Sequence, residues 1–538
     1  MIKLQYPPHW TLPLVFMALS GCFGLLLTGC GAHASAVSIP DVYSNLPSNT
    51  FTMYPGQTVT VPIVVVNLGN VSDKVTFTAS SLPSGVTMAP VTATPGTIAN
   101  LTFVSTTALA KELFTGAYTW SADSDIMITA TGKGGTSAIP LVLETVLTNP
   151  AFTPSTTNIP VVDIETTGQA PITSKDTYVT GSMTITDTSN SSNNYSGTME
   201  IKGHGNSTWG MPKKPYRVKL DSKAKLFGMP SEKNWVLLAN YDDKTMLRDA
   251  VASEVSNIIG MAWAPRSKFV ELMLNGAYVG TYQFIENVDI NSNRVNITDS
   301  DASADPTADG FLMEQDMTQG DTFNWATPHG AYIGSNDPDP PTPAGEVYIQ
   351  NLVNNSEAAF YAPNAPDPTT GWRADWDQDS LVNWFLVDEF MGNQDADGHS
   401  MYFYKDAGAV PFYAGPIWDF DISSGNDNYG AIQSPTVPWV GTTNVWYIQL
   451  MKDPTFVAAV KAKWAAVEPQ IASTIPDYIN TQASALTVAA SNNYSRWPNL
   501  SQQVWPNPEA AGTYQGEVSY LQQWLASRLA YMNSVYLN

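Results

Sequence analysis

The chain is 538 residues long, room for roughly two to four domains, and carries 48 acidic against 25 basic side chains for a formal charge of −23. No basic block tracks a phosphate backbone, which argues against nucleic acid as a partner. Its two cysteines, Cys22 and Cys30, both sit near the N-terminus, so the body has no thiol for a disulfide or a zinc-thiolate site.

In chain order, Lys3 precedes an apolar run at 12–27 that stops at Leu27-Thr28-Gly29-Cys30. Charge, apolar core and small residues in that order are an export signal, and about 16 apolar residues fall short of the ~20 that a membrane span needs. The last four residues resemble the bacterial lipobox. That resemblance makes 1–30 a lipoprotein signal peptide and Cys30 an acylated anchor at the cell envelope. Residues 31–148 are rich in Thr, Val, Ser and Ala. Short alternating runs such as Thr58-Val59-Thr60-Val61 are divided there by turn signals at Pro55-Gly56 and Pro83-Ser84-Gly85, which predicts an all-β, Ig-like sandwich. A Pro/Thr/Ser-rich linker at 149–160 then leads to a second domain, 161–538.

That domain reads as α+β. Val161 to Glu165 is its first strand, and alternation returns at 178–185, 197–202 and 216–220. Apolar residues at helical spacing, Met246, Ala250, Val251, Val255 and Ile258, predict an amphipathic helix over 244–259 that stops at Gly260. Asn275-Gly276 joins two strands as a type I′ hairpin. Residues 290–375 read as loops, and helices follow at 379–391, 454–473 and 515–536.

Three clusters carry chemistry. The first is Gly203-His204-Gly205-Asn206-Ser207-Thr208-Trp209 with the Lys213 to Lys219 stretch behind it, where small residues admit a phosphate and a strand lysine neutralises it. By itself such a turn is more often only a turn. The second is Arg248, Asp249 and Glu254 on the helix, whose glutamate either faces a strand lysine or sits as a solvated carboxylate. The third pairs Asn393-Gln394-Asp395-Ala396-Asp397-Gly398-His399-Ser400 with Ile417-Trp418-Asp419-Phe420-Asp421-Ile422. Carboxylates in apolar surroundings need a cation or a proton, and strand periodicity would put Asp419 and Asp421 on one face as oxygen ligands. An EF-hand starting at Asp395 fails at its twelfth position, which is Asp406 and not glutamate.

Taken in order, these clusters together with Leu226-Phe227-Gly228, Asn234 to Asp243, Leu247-Arg248-Asp249, Asn275-Gly276-x-Tyr278-x-Gly280-x-Tyr282 and Glu286 resemble the CotH family of secreted, atypical protein kinases. The resemblance implies a kinase-like fold with a helical C-terminal part. It also implies ATP with Mg²⁺ (or Mn²⁺) as cofactor and γ-phosphoryl transfer to hydroxyls of exported or surface proteins. On it, Asp419 is similar to the metal-binding aspartate of the kinase Asp-Phe-Gly motif, with Asp421 beside it. Asp395, or Asp397, is similar to the catalytic-loop aspartate. Lys202, Asn206, Ser207 and either Lys214 or Lys219 face the nucleotide, Glu254 partners the lysine, and Glu286 lies near the hinge. Two positions depart from the pattern: His204 where arginine is common, and Ser400 where kinases place asparagine.

A competing reading keeps the fold without catalysis, as a metal-stiffened surface module whose 16 Trp and 24 Tyr stack on sugars. Glycoside hydrolysis by Asp388 and Glu389 is disfavoured because helix neighbours point about 100° apart.

Overall fold

In this computed structural model the described residues are 155–299 and 304–538, preceded by the stretches 42–44, 50–53, 58–65, 73–83, 85–94, 97–105, 121–132 and 135–146. The leader with Cys30 and residues 149–154 of the expected linker lie outside them. Among the described residues no helix is long and apolar enough to cross a membrane.

The chain divides into two compact units, one drawn from residues before Glu144 and one that holds Glu144–Asn538. The first is all β. One sheet runs in spatial order Val42–Ser44, Thr58–Val65, Ile98–Ser105, Val86–Met88, and the other Thr50–Met53, Gly135–Val146, Ser121–Gly132, Val75–Ser80, Val91–Ala93. The strand Ile98–Ser105 alternates exposed and buried along its whole length, so Ala99, Leu101 and Phe103 face inward.

The second unit begins with a closed seven-stranded barrel, which the sequence reading did not foresee. Its strands are β1 (Val161–Thr166), β2 (Val179–Thr186), β3 (Tyr195–Gly203), β4 (Tyr216–Ala224), β5 (Glu232–Leu238), β6 (Ser267–Leu274) and β7 (Ala277–Glu286), in the order β1-β2-β3-β4-β5-β7-β6. The ladders from β1 through β5 to β7 and on to β6 are antiparallel, and β1 closes the ring on β6 in parallel, Val161 opposite Glu271 and Ile164 opposite Leu274. Period-two alternation turns Ile164, Met183, Ile201, Val218, Trp235 and Phe284 into one core. Asn275 and Gly276, both at positive φ, make the expected hairpin between β6 and β7.

Between β5 and β6 lies α1 (Arg248–Ile259), ended as expected by Gly260 in the left-handed region. It starts four residues later than its periodicity suggests, because 244–247 form a turn. After the barrel, the stretch read as loops contains β8 (Phe311–Gln315), β9 (Asn324–Ala326), β10 (Tyr332–Asp337) and α2 (Pro343–Tyr361). Thr342 caps α2 by accepting from the Gly345 amide at 3.1 Å. With β11 (Met401–Lys405) and β12 (Tyr413–Ala414) the strands form a sheet ordered β9-β10-β8-β11-β12.

The central helix α3 (Gln378–Met391) is buried from Leu381 to Met391 and so has no polar face. Packed with it are α4 (Val440–Thr443), α5 (Val445–Leu450), α6 (Pro454–Ala485), α7 (Thr487–Arg496) and α8 (Tyr514–Tyr536). Helix α6 runs past the expected end at 473. Pro469 and Pro476 both sit on its solvent face, while the stripe Trp464, Val467, Ile471, Ile475 and Ile479 continues unbroken into the core.

The buried Lys213 ties the barrel to α7: its ammonium donates to the Thr281 carbonyl and to Asn493 Oδ1, and lies over the Tyr282 ring. Burial pushes its pKa down from 10.5 to about 7. Between those values the unfolded chain holds more protons than the fold, so this residue's contribution to stability rises with pH, by at most ~1.4 kcal/mol per unit. Urea unfolding of Lys213→Met between pH 7 and 9.5 is expected to lack that rise relative to the parent. Equal slopes in the two proteins would show that the site does not titrate there.

Candidate active site

The barrel contributes a turn and two cations. Strand β3 ends at Gly203, where an added Cβ would lie 2.6 Å from the Trp209 ring, so the indole folds back onto bare backbone. Gly205, at φ +76°, turns the chain, and its site for a Cβ is filled by Thr208. His204 donates its backbone N–H to the Pro215 carbonyl, and its ring stands edge-on to Trp418 at 6.4 Å. Burial, then the positive charges of Arg217, Lys175 and Lys202, pushes its pKa down to about 3, so the imidazole is neutral. Behind the turn, Lys202 on β3 and Arg217 on β4 stand opposite each other in the ladder. Lys202 lies over the Tyr178 ring, and Arg217 pairs at 3.7 Å with Asp289 while its Nε has no partner among the described residues.

The carboxylates come from three separate segments. The first is the turn before α1, where Asp242 and Asp243 are both buried. Asp243 is saturated: it accepts from the Thr245 amide and hydroxyl and the Arg248 amide, and pairs with the Arg248 guanidinium at 2.5 Å. Arg248 Nε also donates to the Ser423 carbonyl, so the same ion pair holds the second segment against the first.

That second segment, 416–424, is not the strand expected from its alternation. Asp419 adopts φ +66°, Phe420 points into the core and gives its N–H to Asp249 Oδ1 on α1, and Asp421 accepts from the Ile422 amide. Asp419 and Asp421 are thus aimed by a bend and by side-chain bonds, not by a pleat. The third segment is the short 3₁₀ turn Gln394–Asp397 after α3, capped by Asn393 and tied to the second by the bond from the Gln394 amide to the Ile422 carbonyl.

Crowding shifts these groups upward. Burial and the neighbouring Asp419 raise Asp395 to about 7, against His399, which pulls it down. Burial, opposed by the Phe420 amide, raises Asp249 to about 7. Burial and Asp242 push Asp421 well up. Asp419 is raised by burial and held back by His399 and by the Ser400 hydroxyl, which donates to it. Asp397 stands 3.9 Å from His399.

Beside the cluster a cavity of about 280 Å³ opens between the barrel and the rest of the unit. His204, Arg217 and residues 287–289 line one side, and Asp321, Tyr402 and Trp418 the other. It is polar, and apart from Arg217 its charged lining is acidic: Asp289, Asp321, Asp337 and Asp339. Among the described residues no three carboxylate or imidazole groups converge tightly enough for a protein-only cation site. Mg²⁺ fits the residues present all the same, since it is held by one or two carboxylates plus phosphate oxygens, and no N–H or hydroxyl of another described residue reaches the oxygens of buried Asp242.

The structure thus gathers Asp395, Asp397, Asp419 and Asp421, and puts Lys202 behind the turn that carries Asn206 and Ser207. Asn206 accepts from Lys175. The other named residues stand elsewhere. Lys214 donates to the Trp209 carbonyl and lies over its ring, and Lys219 is exposed on β4. The charge of Glu254 is felt by Tyr478 on α6. Glu286 is fully buried and held by Arg266, with Arg294 at 3.8 Å. Glu389 accepts from the Trp439 and Val440 amides and pairs with Arg528, while Asp388 accepts from Asn393, so both serve the scaffold. Sequence reasoning missed Arg217, Asp242 and the bond from Asp249 to Phe420. The register of β4 was the missing signal, because it sets Arg217, two residues before Lys219, nearest the turn.

A family model described as CotH kinase protein matches residues 201–532. No curated protein matches the chain. Among solved structures, a protein of unknown function from Porphyromonas gingivalis W83 shares 15% identity at a TM-score of 0.16, covering 28% of this chain and 66% of that one. The chain therefore spans just under two thirds of that protein's length. The fibronectin(III)-like modules of Clostridium thermocellum CbhA share 9% identity at a TM-score of 0.14, covering 36% and 90%.

Replacing Asp243 with alanine leaves the Arg248 guanidinium buried without its counter-charge, and is expected to cost about 3–5 kcal/mol in urea unfolding. A loss under about 1 kcal/mol would mean that the pair does not hold the two segments together.

Proposed function

The chain belongs to the CotH kinase protein family, and from that membership we propose that it transfers the γ-phosphoryl group of ATP to hydroxyl side chains of exported or cell-surface proteins. The observation that carries this reading is the convergence of Asp395, Asp419 and Asp421, from segments held together by Arg248 and Gln394, beside a polar cavity that His204 of the glycine turn helps to line.

Phosphoryl transfer asks little covalent work of a protein; positioning and charge neutralisation do most of it. The amides of the 203–208 turn, with Asn206 and Ser207, cradle the phosphates, and Lys202 and Arg217 behind it neutralise them. Residues 287–289, which follow Glu286 into the cavity wall, meet the base. Asp395 orients the acceptor hydroxyl and takes its proton, and a pKa raised to about 7 suits that task near neutral pH. Asp397 keeps His399 alongside. Asp419 and Asp421 would hold Mg²⁺ or Mn²⁺, which when bound would neutralise charge on the transferring phosphate. The neutral His204 carries no charge toward the phosphates, and on this reading Arg217 supplies it.

The N-terminal unit, read as an Ig-like sandwich, is the spacer between a lipid anchor at Cys30 and the kinase. The acceptors are then proteins of the cell envelope.

Incorporation of labelled γ-phosphate in the presence of Mg²⁺ or Mn²⁺ tests the reading. Asp395→Asn is expected to lower kcat by ~10²–10⁴-fold, and Asp419→Ala to remove metal-dependent labelling. Arg217→Met is expected to raise the KM for ATP about tenfold or more with a smaller change in kcat, as loss of a charge-assisted contact requires. A folded parent that binds no nucleotide and transfers no label would instead support the metal-stiffened surface module.

A further inference from the structure

We propose that Asp242 is a metal ligand, its carboxylate joining that of Asp421 to hold a divalent cation of the Mg²⁺ class that arrives with the nucleotide phosphates. This rests on the phosphoryl-transfer reading of the same site.

Two adjacent aspartates of one turn have opposite fates. Asp243 is surrounded by donors and neutralised by Arg248. Asp242, 1% exposed, accepts at neither carboxylate oxygen from an N–H or hydroxyl of any other described residue. Nor is it loosely placed. Its backbone carbonyl accepts from Asn507 Nδ2 at 2.7 Å and from Asn426 Nδ2 at 3.3 Å, and Asn426 also donates to the Asp421 carbonyl at 2.8 Å. These two asparagines fix the backbone on both sides of a gap across which the Asp242 and Asp421 carboxyl groups face each other within hydrogen-bonding reach. The groups felt at Asp242 are Asp243 and Asp419, and at Asp421 they are Asp419, Asp249 and Asp395, all acidic.

An ionised carboxylate buried without a counter-charge costs several kcal/mol, and evolution has cheaper ways to fill a buried position. A proton between Asp242 and Asp421 would relieve that pair alone, whereas a divalent cation offsets the field of Asp419 and Asp249 as well. Two carboxylates from separate segments, with no third among the described residues close enough to complete a cage, match the demand of Mg²⁺, which keeps positions for phosphate and water. Ser400, near where a kinase supplies an asparagine ligand, spends its hydroxyl on Asp419. Asp242 gives the site the oxygen that Ser400 does not.

The test is Mn²⁺ binding to the purified full chain, followed by the paramagnetic resonance signal of free Mn²⁺ with and without ATP, beside thermal unfolding. Asp242→Asn is expected to raise the Tm of the metal-free protein, because repulsion is relieved. It is also expected to weaken Mn²⁺ binding at least tenfold and to abolish the rise in Tm that Mn²⁺ with ATP gives the parent. If Asp242→Asn keeps the parent's Mn²⁺ affinity and its Tm rise, the two carboxyl groups only share a proton and the assignment is overturned. Should that variant fail to fold, Asp421→Asn carries the same comparison. A parent that binds Mn²⁺ through Asp242 but transfers no label would sink the kinase reading and leave the ligand assignment standing. A parent that binds no Mn²⁺ in either condition would sink the assignment.

Discussion

The ion pair between Asp243 and Arg248 is the interaction on which the candidate site depends. It is fully buried, and it is shared. One face of the guanidinium neutralises the turn before α1, while Nε reaches the Ser423 carbonyl on the far side of the Asp419 loop. A buried pair of this kind contributes little net stability compared with apolar packing, but its loss strands a charge, so it specifies one arrangement strongly. Asp249, one residue on, adds a second tether through the Phe420 amide. The geometry of Asp419 is therefore inherited from α1, whose other face packs in the helical core with Val251, Val255 and Ile259.

The cost of this design is concentrated negative charge. Burial raises Asp242, Asp249, Asp395, Asp419 and Asp421, the charge of Asp419 adds to the rise of the other four, and relief comes from backbone amides, His399 and Ser400. Such a cluster is poised for a cation, and the barrel opposite offers Lys202 and Arg217, which repel each other in turn. The proposed nucleotide and metal would meet cations on the barrel side and carboxylates on the other.

Much of this was legible beforehand, for reasons that differ from residue to residue. Trp418-Asp419-Phe420-Asp421 announced itself because charged groups rarely sit among large apolar ones unless compensated. The hairpin at Asn275-Gly276 and the end of α1 at Gly260 were visible because they rest on local backbone chemistry. What stayed hidden was set at long range. Arg217 gains its place from strand register, and Asp242 from asparagines at 426 and 507, neither of which any local pattern reveals. Alternation misled at 417–422, where tethers from α1 impose a bend. The Pro-rich run before Pro343 hid a helix whose cap, Thr342, and stripe, Ile349, Val353 and Phe360, were present in the sequence.

The closure of the barrel has a consequence for where the CotH kinase-family unit begins. The family match opens at residue 201, inside β3, yet the ring is completed by β1 lying parallel to β6, about a hundred residues downstream. A protein trimmed to the matched segment would lose β1, β2 and all but the last three residues of β3, and bare the edges of β4 and β6, with the apolar interior of the barrel behind them. The smallest autonomous unit is therefore longer than the region kinship detects, and Val161 is as much a part of it as Asp419.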